Sequence, residues 1–578
     1  MLAQKAIPAL GERRFETLLL AAAGVFYAAA AYLPWGWPSA DGYPAVERYI
    51  DHGFLPDDFY TNTTTVYNVD TLLSAALKAA QEATGVRYDV IMAALNIVRC
   101  FAFPFVLFGF FRALSGDRRI ATVGALLGAA SLYALPNLFA WGWLWGDPSP
   151  AMFALLFITG GWTYFLRRQP AMAMAAFSLA VMIHPLMAVH GGLFAALIFF
   201  FDYSSEEKVA ALRSPAAWLA GLLFGGLFAF QYLLLGGTPD DRLPVDVYTR
   251  ILAWVRHPAD FLPSRFPAAD WIAGIASSAA AALIVWKMRG EIHRPRLMIA
   301  GLASYFAVCI TGWLFVEVYP VRFFVELIPF RYVIVGAPLM LFAYAVFAAA
   351  EMRDGRWASF AVVALVFLAA TPATRIQSAQ AIPSLILAAW IALRVLTNRP
   401  AVAPIDSAAA SRVTPRTAMA ALAALIAVLS PVALYARRHE LVIPRAENQH
   451  PLYAWAKSET PPDAIFLVDQ NGDYSFSRAI DPQRMRLVGR RAVAASKDFP
   501  FLDHDMVPWN DRWGTALGGG AHRFVSAADA DTLVSVAATV PFDYVVRDEP
   551  LDDPRFALAA SFGPAKGAPQ TFVYKLER

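Results

Sequence analysis

The run YDVIMAALNIVRCFAFPFVLFGFF, residues 88–111, decides the fold. At a helical rise of about 1.5 Å per residue it is long enough to cross a hydrocarbon core roughly 30 Å thick. Only Asp89 near its start and Arg99 near its middle carry charge. Working outward, apolar runs of similar character recur at 17–33, 120–138, 150–166, 171–184, 186–201 and 216–235. Six more follow at 271–286, 297–316, 332–350, 357–370, 382–395 and 417–435. Together they predict an all-α polytopic bundle of about thirteen transmembrane helices. The bulk composition agrees, because 16% of the residues are charged where a soluble domain carries roughly 25%. A net charge of +3 over 578 residues gives no basic surface for nucleic acid, which is excluded as a partner.

Basic residues set the orientation. Arg13/Arg14, Arg112/Arg118/Arg119, Arg167/Arg168, Lys208/Arg213, Lys287/Arg289/Arg294/Arg296, Arg353/Arg356 and Arg394/Arg399/Arg412/Arg416 fall in alternate loops, which are read as cytoplasmic. The intervening loops hold Trp35, Trp37, Trp141 and Trp145, as interfacial belts do. The N-terminus is then cytoplasmic, the first span is a retained helix, and an odd number of crossings places the C-terminus outside a bacterial inner (plasma) membrane. The chain divides at the last span into a membrane domain, 1–435, and a small extracytoplasmic α/β domain, 436–578. Strands are expected there at 464–468, 544–546 and 571–576, and helices at 451–458 and 527–538. Both cysteines, Cys100 and Cys309, lie in apolar runs, so neither disulfide nor thiolate chemistry is expected.

Three external segments exceed simple connectors: 34–87, 236–270 and 317–331. The first is acidic, with Asp41, Glu47, Asp51, Asp57 and Asp58. A carboxylate at the membrane surface can act as a base toward an acceptor hydroxyl, or hold a divalent cation against a phosphate. A solvated loop is the plain alternative. Arg99 at mid-membrane depth needs a polar partner or an anionic ligand, since a cation there is costly. His184-Pro185 and His190-Gly191-Gly192 are expected to break two short apolar segments and open a cavity outward, with His184 as the substrate-facing residue. A packing role for a lone histidine is the competing reading. The second long segment offers Arg256 and His257 beside Pro258, Asp260 and Phe261; the third offers Glu317, Arg322, Glu326 and Arg331, where Arg331 abuts the next apolar run. Phosphate contact suits these cations, and so does interfacial snorkelling. In the C-terminal domain Arg478, Arg490, Arg491, Lys497 and Arg512 interleave with Phe476, Phe499, Trp509 and Trp513, a texture that fits an acidic or glycan ligand or ordinary surface charge. No metal triad, nucleophile elbow, P-loop or dinucleotide fingerprint is present.

Many spans, an acidic first external loop and a C-terminal extracytoplasmic α/β domain resemble the C-type (GT-C) glycosyltransferase superfamily. The resemblance implies a polyprenyl-phosphate-linked sugar donor and an Asp or Glu of the first external loop as catalytic base or metal ligand. Asp41 is the first acid after the first span and matches that position best; it is followed by Gly42 rather than a second acid, which leaves Asp58 as its rival. The segments Asp57-Asp58-Phe59-Tyr60-Thr61-Asn62, Arg99, His184-Pro185-Leu186, Phe330-Arg331 and the series from Phe476 to Arg512 also resemble an uncharacterised group of large bacterial membrane proteins. The implied function is transfer of a glycosyl unit to an envelope glycan, lipid or protein, with Glu47, Arg99, His184, Arg256, His257, Arg322 and Arg331 as substrate-binding candidates. Two other classes fit the same residues: a transporter or flippase of a lipid-linked precursor, and a non-catalytic envelope polysaccharide assembly protein.

Overall fold

A computed structural model describes residues 2–31, 43–65, 71–130, 150–235, 242–256, 258–370, 377–397, 417, 419–422, 450–469, 480, 482–496, 498–500, 502–519, 524–564 and 570–577. The chain forms two compact units. The first comprises 1–33, 93–229 and 257–441; the second comprises 34–92, 230–256 and 442–578. This partition cuts across the expected division at 435/436. The first long loop and part of the second belong to the same unit as the C-terminal segment.

The first unit is helical, because backbone in lipid must satisfy its hydrogen bonds within each segment. Its centre is the helix Val333–Arg353, in which every residue from Val333 to Met352 is buried. Around it pack Arg118–Ala130, Ala268–Lys287, Pro295–Gly312 and Trp357–Ala370. Approach is close where a glycine faces a large side chain: a Cβ on Gly336 would lie 2.7 Å from the Tyr305 ring, and one on Gly301 would lie 2.5 Å from Leu339. Among the described residues, five helices are long and apolar enough to cross a membrane: Tyr88–Ser115, Pro185–Asp202, Ala268–Lys287, Pro295–Val318 and Pro329–Arg353. A pair bent by 70°, Ser205–Leu212 and Pro215–Phe230, adds a sixth if it is one span. Four more apolar helices, such as Pro150–Leu166 and Pro170–Ile183, are shorter. The protein is membrane-embedded by these spans.

The loops read as cytoplasmic are drawn together by ion pairs. Arg294 donates to the Ala113 carbonyl at 2.6 Å and the Leu166 carbonyl at 3.0 Å, and pairs with Asp202 at 2.9 Å, so one guanidinium ties the C-terminal ends of three helices. Arg168 meets Asp202 and Glu207 at 2.6 and 2.8 Å, and Glu351 holds Arg356 and Arg394 at 2.6 and 3.0 Å. Cations at helix C-termini also complement the exposed carbonyls there.

The second unit holds a five-stranded sheet in the order β2-β1-β3-β5-β4. Its strands are β1, Ile465–Val468; β2, Ala492–Val493; β3, Tyr544–Arg547; β4, Phe556–Phe562; and β5, Thr571–Leu576. The first three pair in parallel, and β5 and β4 add antiparallel. The expected strands and the helices Pro451–Glu459 and Ala530–Thr539 are present, whereas β2 and β4 were not legible, one being two residues long and the other mostly exposed. Helices Tyr43–Ile50, Phe59–Thr65 and Thr71–Thr84 of the first loop complete the unit. The basic and aromatic texture of the C-terminal segment is partly core. Trp509 and Trp513 stack at 5.6 Å and are buried, and Arg491 is buried, donating to the Lys457 and Thr460 carbonyls. Phe476, Arg478 and Lys497 lie outside the described residues.

Candidate functional site

In the first unit, helix Pro295–Gly312 runs directly into a π-helical turn, Trp313–Val318. Such turns are frequent at functional sites. The turn borders a cavity of about 590 Å³ lined by Trp271, Ile275, Phe306, Cys309, Ile310 and Trp313, with Pro263 and Ser264. This lining suits a hydrocarbon chain. Two walls of the cavity lead to one segment: Trp271 packs on Phe266 at 6.3 Å, and Phe266 on Phe330 at 5.9 Å. On the other side Gly312 leaves no room for a Cβ, which would sit 2.8 Å from Pro329. Pro329 and Phe330 thus pack against residues next to the cavity lining, and Arg331 follows them in sequence.

The same segment is strained. Ile328 has φ +47°, ψ +68°, a left-handed conformation unfavourable for a β-branched side chain. What holds it includes His190, whose Nε2 donates to the Leu327 carbonyl at 2.9 Å. His184 caps the helix Pro185–Asp202, its Nδ1 accepting from the Met187 amide at 3.4 Å, with Pro185 at the first helical position. Both imidazoles are buried, and both feel the charge of Arg331. His190 is thereby joined to the segment that precedes Arg331, while His184 serves as the cap of its own helix. The helix breaks only at His184. His190-Gly191-Gly192 continues it; Gly191 seats tightly against Ile158 and Phe177 and its carbonyl accepts from the Trp162 indole at 2.8 Å, whereas a Cβ on Gly192 would meet nothing within 4 Å.

The other candidates have local partners. Arg99 is buried, and its Nε and Nη2 donate to the Asn96 Oδ1 at 3.0 and 2.8 Å, with the guanidinium 5.6 Å from the Phe153 ring. Asn96, one turn earlier, supplies the polar partner that this depth requires. Arg322 pairs with Glu326 at 2.7 Å on its own short helix. Glu317 accepts from the Ser264 amide at 3.4 Å.

Asp41, of the second unit, and His257, of the first, lie outside the described residues. Glu47 is half-buried, accepts from the Tyr88 hydroxyl at 3.2 Å and stands 3.9 Å from Arg490. Arg256 ends a π-helical turn and lies over Phe499 at 4.3 Å. Asp58 is fully enclosed. One of its oxygens accepts from the Thr61 amide at 2.7 Å and the Thr61 hydroxyl at 2.6 Å, the other from the Val493 amide at 3.0 Å, and Arg486 stands 3.5 Å away. Three hydrogen bonds and a nearby guanidinium suit an ionised carboxylate. These are the surroundings of a helix cap that also anchors β2, not of a base facing a substrate. Arg486 in turn pairs with Asp498.

Among the described residues no group of three or more His, Cys, Asp or Glu side chains is placed to hold a metal ion. Of the two carboxylates read as able to hold a divalent cation, Asp41 and Asp58, the first lies outside the described residues. The sequence placed His190 only at an expected helix break and carried no signal for the cavity between Trp271 and Trp313.

A family model described as a domain of unknown function, DUF6798, matches residues 447–516. No curated protein matches the chain. Among solved structures, the arabinofuranosyltransferase AftD from Mycobacteria is 13% identical with a TM-score of 0.43, covering 98% of this chain and 40% of that one. The oligosaccharyltransferase AglB from Archaeoglobus fulgidus, in complex with an inhibitory peptide and a dolichol-phosphate, is 12% identical with a TM-score of 0.40, covering 93% and 70%. The chain spans about two-fifths of the length of the arabinofuranosyltransferase it matches.

Proposed function

We propose that this chain is a polytopic membrane glycosyltransferase of about thirteen spans, acting at the outer face of a bacterial inner membrane. In this reading a polyprenyl-phosphate-linked sugar is the donor and an envelope glycan, lipid or protein the acceptor. The observation that supports it is the apolar cavity of the first unit, with Arg331 adjoining in sequence the residues that pack behind its lining. An amphiphile with a hydrocarbon tail and a phosphate head has the chemistry for both parts. Burial in apolar surroundings favours the tail, and a guanidinium in a poorly solvated setting binds phosphate strongly. As the sugar leaves, negative charge grows on the departing phosphate, and a cation already in place stabilises it without reorganisation. A single displacement with inversion at the anomeric carbon follows, because no covalent intermediate is needed. Asp41 is assigned the activation of the acceptor, with Glu47 as a further polar contact; Asp58 is assigned to the fold.

Mass spectrometry of envelope glycans and polyprenyl-linked sugars tests this in cells lacking the gene, complemented with wild type or Arg331→Gln. Accumulated donor lipid, a glycan short of one sugar, and failure of a normally expressed Arg331→Gln protein to restore it are expected. Unchanged glycans refute the reading. Movement of labelled lipid across proteoliposomes with no change in its mass favours a flippase instead.

A further inference from the structure

At the C-terminal ends of the helices Tyr88–Ser115, Pro150–Leu166 and Pro185–Asp202 the first unit gathers more cations than it neutralises. Arg168 and Arg294 take both nearby acids, Asp202 and Glu207, and Arg294 also takes the Ala113 and Leu166 carbonyls. The residues beside those carbonyls, Arg112 and Arg167, are exposed, and among the described residues neither guanidinium has a hydrogen bond or an ion pair. Two positive charges are thus left over where spans end.

Arg167 does not turn away from the bilayer. Thr163, one turn before it, lies 3.7 Å from the place a Cβ on Gly109 would take, and Nη2 of Arg167 lies 4.0 Å from the same place. The side chain therefore runs back along its helix, in the direction helical side chains lean, and rests where Gly109 has none. Arg112 is one turn beyond Gly109 on the same helix. There Val98, Phe101, Phe105, Phe108 and Arg112 recur every three or four residues and so share one face. Val98 is 63% and Phe101 40% exposed, and Phe105 and Phe108 are half-buried. A cation laid toward hydrocarbon is costly unless an anion meets it. An apolar stripe ending at two uncompensated cations has the outline of an acyl chain with an anionic head.

We propose that this face binds an anionic phospholipid of the surrounding bilayer, its phosphodiester between Arg112 and Arg167 and one acyl chain along the stripe from Val98 to Phe108. A guanidinium offers a phosphodiester two parallel donors. A head of net negative charge neutralises what a zwitterionic head leaves uncompensated. Gly109 gives the site its place, because a larger side chain there would occupy the space of the Arg167 guanidinium. The site is independent of the reaction proposed above.

The test uses the full chain, stripped of lipid in a neutral detergent and given phosphatidylglycerol or phosphatidylcholine with the same chains; bound lipid is read by native mass spectrometry. Wild type is expected to bind phosphatidylglycerol about tenfold more tightly. The double variant Arg112→Gln/Arg167→Gln loses that preference, and Gly109→Leu, with its net charge unchanged, loses most of it. Arg250→Gln/Arg289→Gln, which removes as many cations at exposed positions in other segments, keeps it. A wild-type protein with no preference overturns the site, and so does equal loss in the two double variants, which would mean attraction by overall charge alone. Full preference in Gly109→Leu overturns the placement of Arg167. Glycerophosphoglycerol, the same head without chains, is expected to leave the lipid bound at equal concentration, and displacement overturns the role of the stripe. Should Arg112→Gln/Arg167→Gln not fold, Gly109→Leu and the wild-type comparison decide.

Discussion

Replacing Asp58 with alanine removes three hydrogen bonds and one ion-pair contact at once. The helix Phe59–Thr65 loses its cap, since Asp58 accepts from the Thr61 amide and hydroxyl, a loss of about 1 kcal/mol. The Val493 amide in β2 loses its side-chain acceptor, and Arg486, which has no solvent exposure, keeps only Asp498 as a carboxylate partner. Truncating one partner of a buried charge pair typically costs about 3–5 kcal/mol, and the remaining carboxylate puts this case at the lower end. Neighbouring losses do not add fully, so about 4 kcal/mol is expected, a large part of the roughly 5–15 kcal/mol that holds a typical domain. That corresponds to about a thousandfold faster opening of the segment. Hydrogen exchange of the purified full chain, followed by mass spectrometry, reads it directly in peptides spanning 59–65 and 492–496. Adding Arg486→Met to Asp58→Ala is expected to recover part of the loss, because the uncompensated charge leaves with its partner. Wild-type exchange in Asp58→Ala would refute the structural assignment. Wild-type exchange in an Asp58→Asn protein that is nonetheless inactive would return Asp58 to the chemistry.

His450 caps the helix Pro451–Glu459, its Nδ1 accepting from the Leu452 amide at 3.2 Å, and burial lowers its pKa below the ordinary histidine value. The unfolded chain therefore binds the proton more readily, so stability falls as pH drops below about 6.5, by at most about 1.4 kcal/mol per pH unit. Melting curves from pH 8 to 5 should show this, and His450→Asn, which keeps a cap acceptor but does not titrate, should flatten it; equal pH dependence in the two proteins would count against the cap. In the membrane unit, Gly336→Ala places a methyl 2.7–3.0 Å from three atoms of the Tyr305 ring and is expected to lower stability by about 1–3 kcal/mol. Gly160→Ala, with nothing within 4 Å of the new Cβ, is the control, and equal melting temperatures for the two variants would show that the central helix has slack.

The sequence by itself determined the elements whose signals are local. Long apolar runs such as 88–111 and 332–350 could only be helices, since lipid offers no other partner for backbone groups. Arginines beside the helix ends marked the loops that Arg294, Asp202 and Glu351 tie together. Strands β1, β3 and β5 were legible from their β-branched and aromatic residues, and Arg331 from its place at the edge of an apolar run. Only the tertiary structure decided what depends on partners far along the chain. Asp58 reads like any acid of an external loop until Val493 and Arg486 enclose it, 435 and 428 residues away. His190 reads as a glycine-flanked break until the Leu327 carbonyl, 137 residues on, fixes its ring. Hydropathy and propensity report what a residue prefers; burial and hydrogen-bond satisfaction depend on what the rest of the chain brings to it. That is why the same carboxylate could be read as a base and is found as a cap.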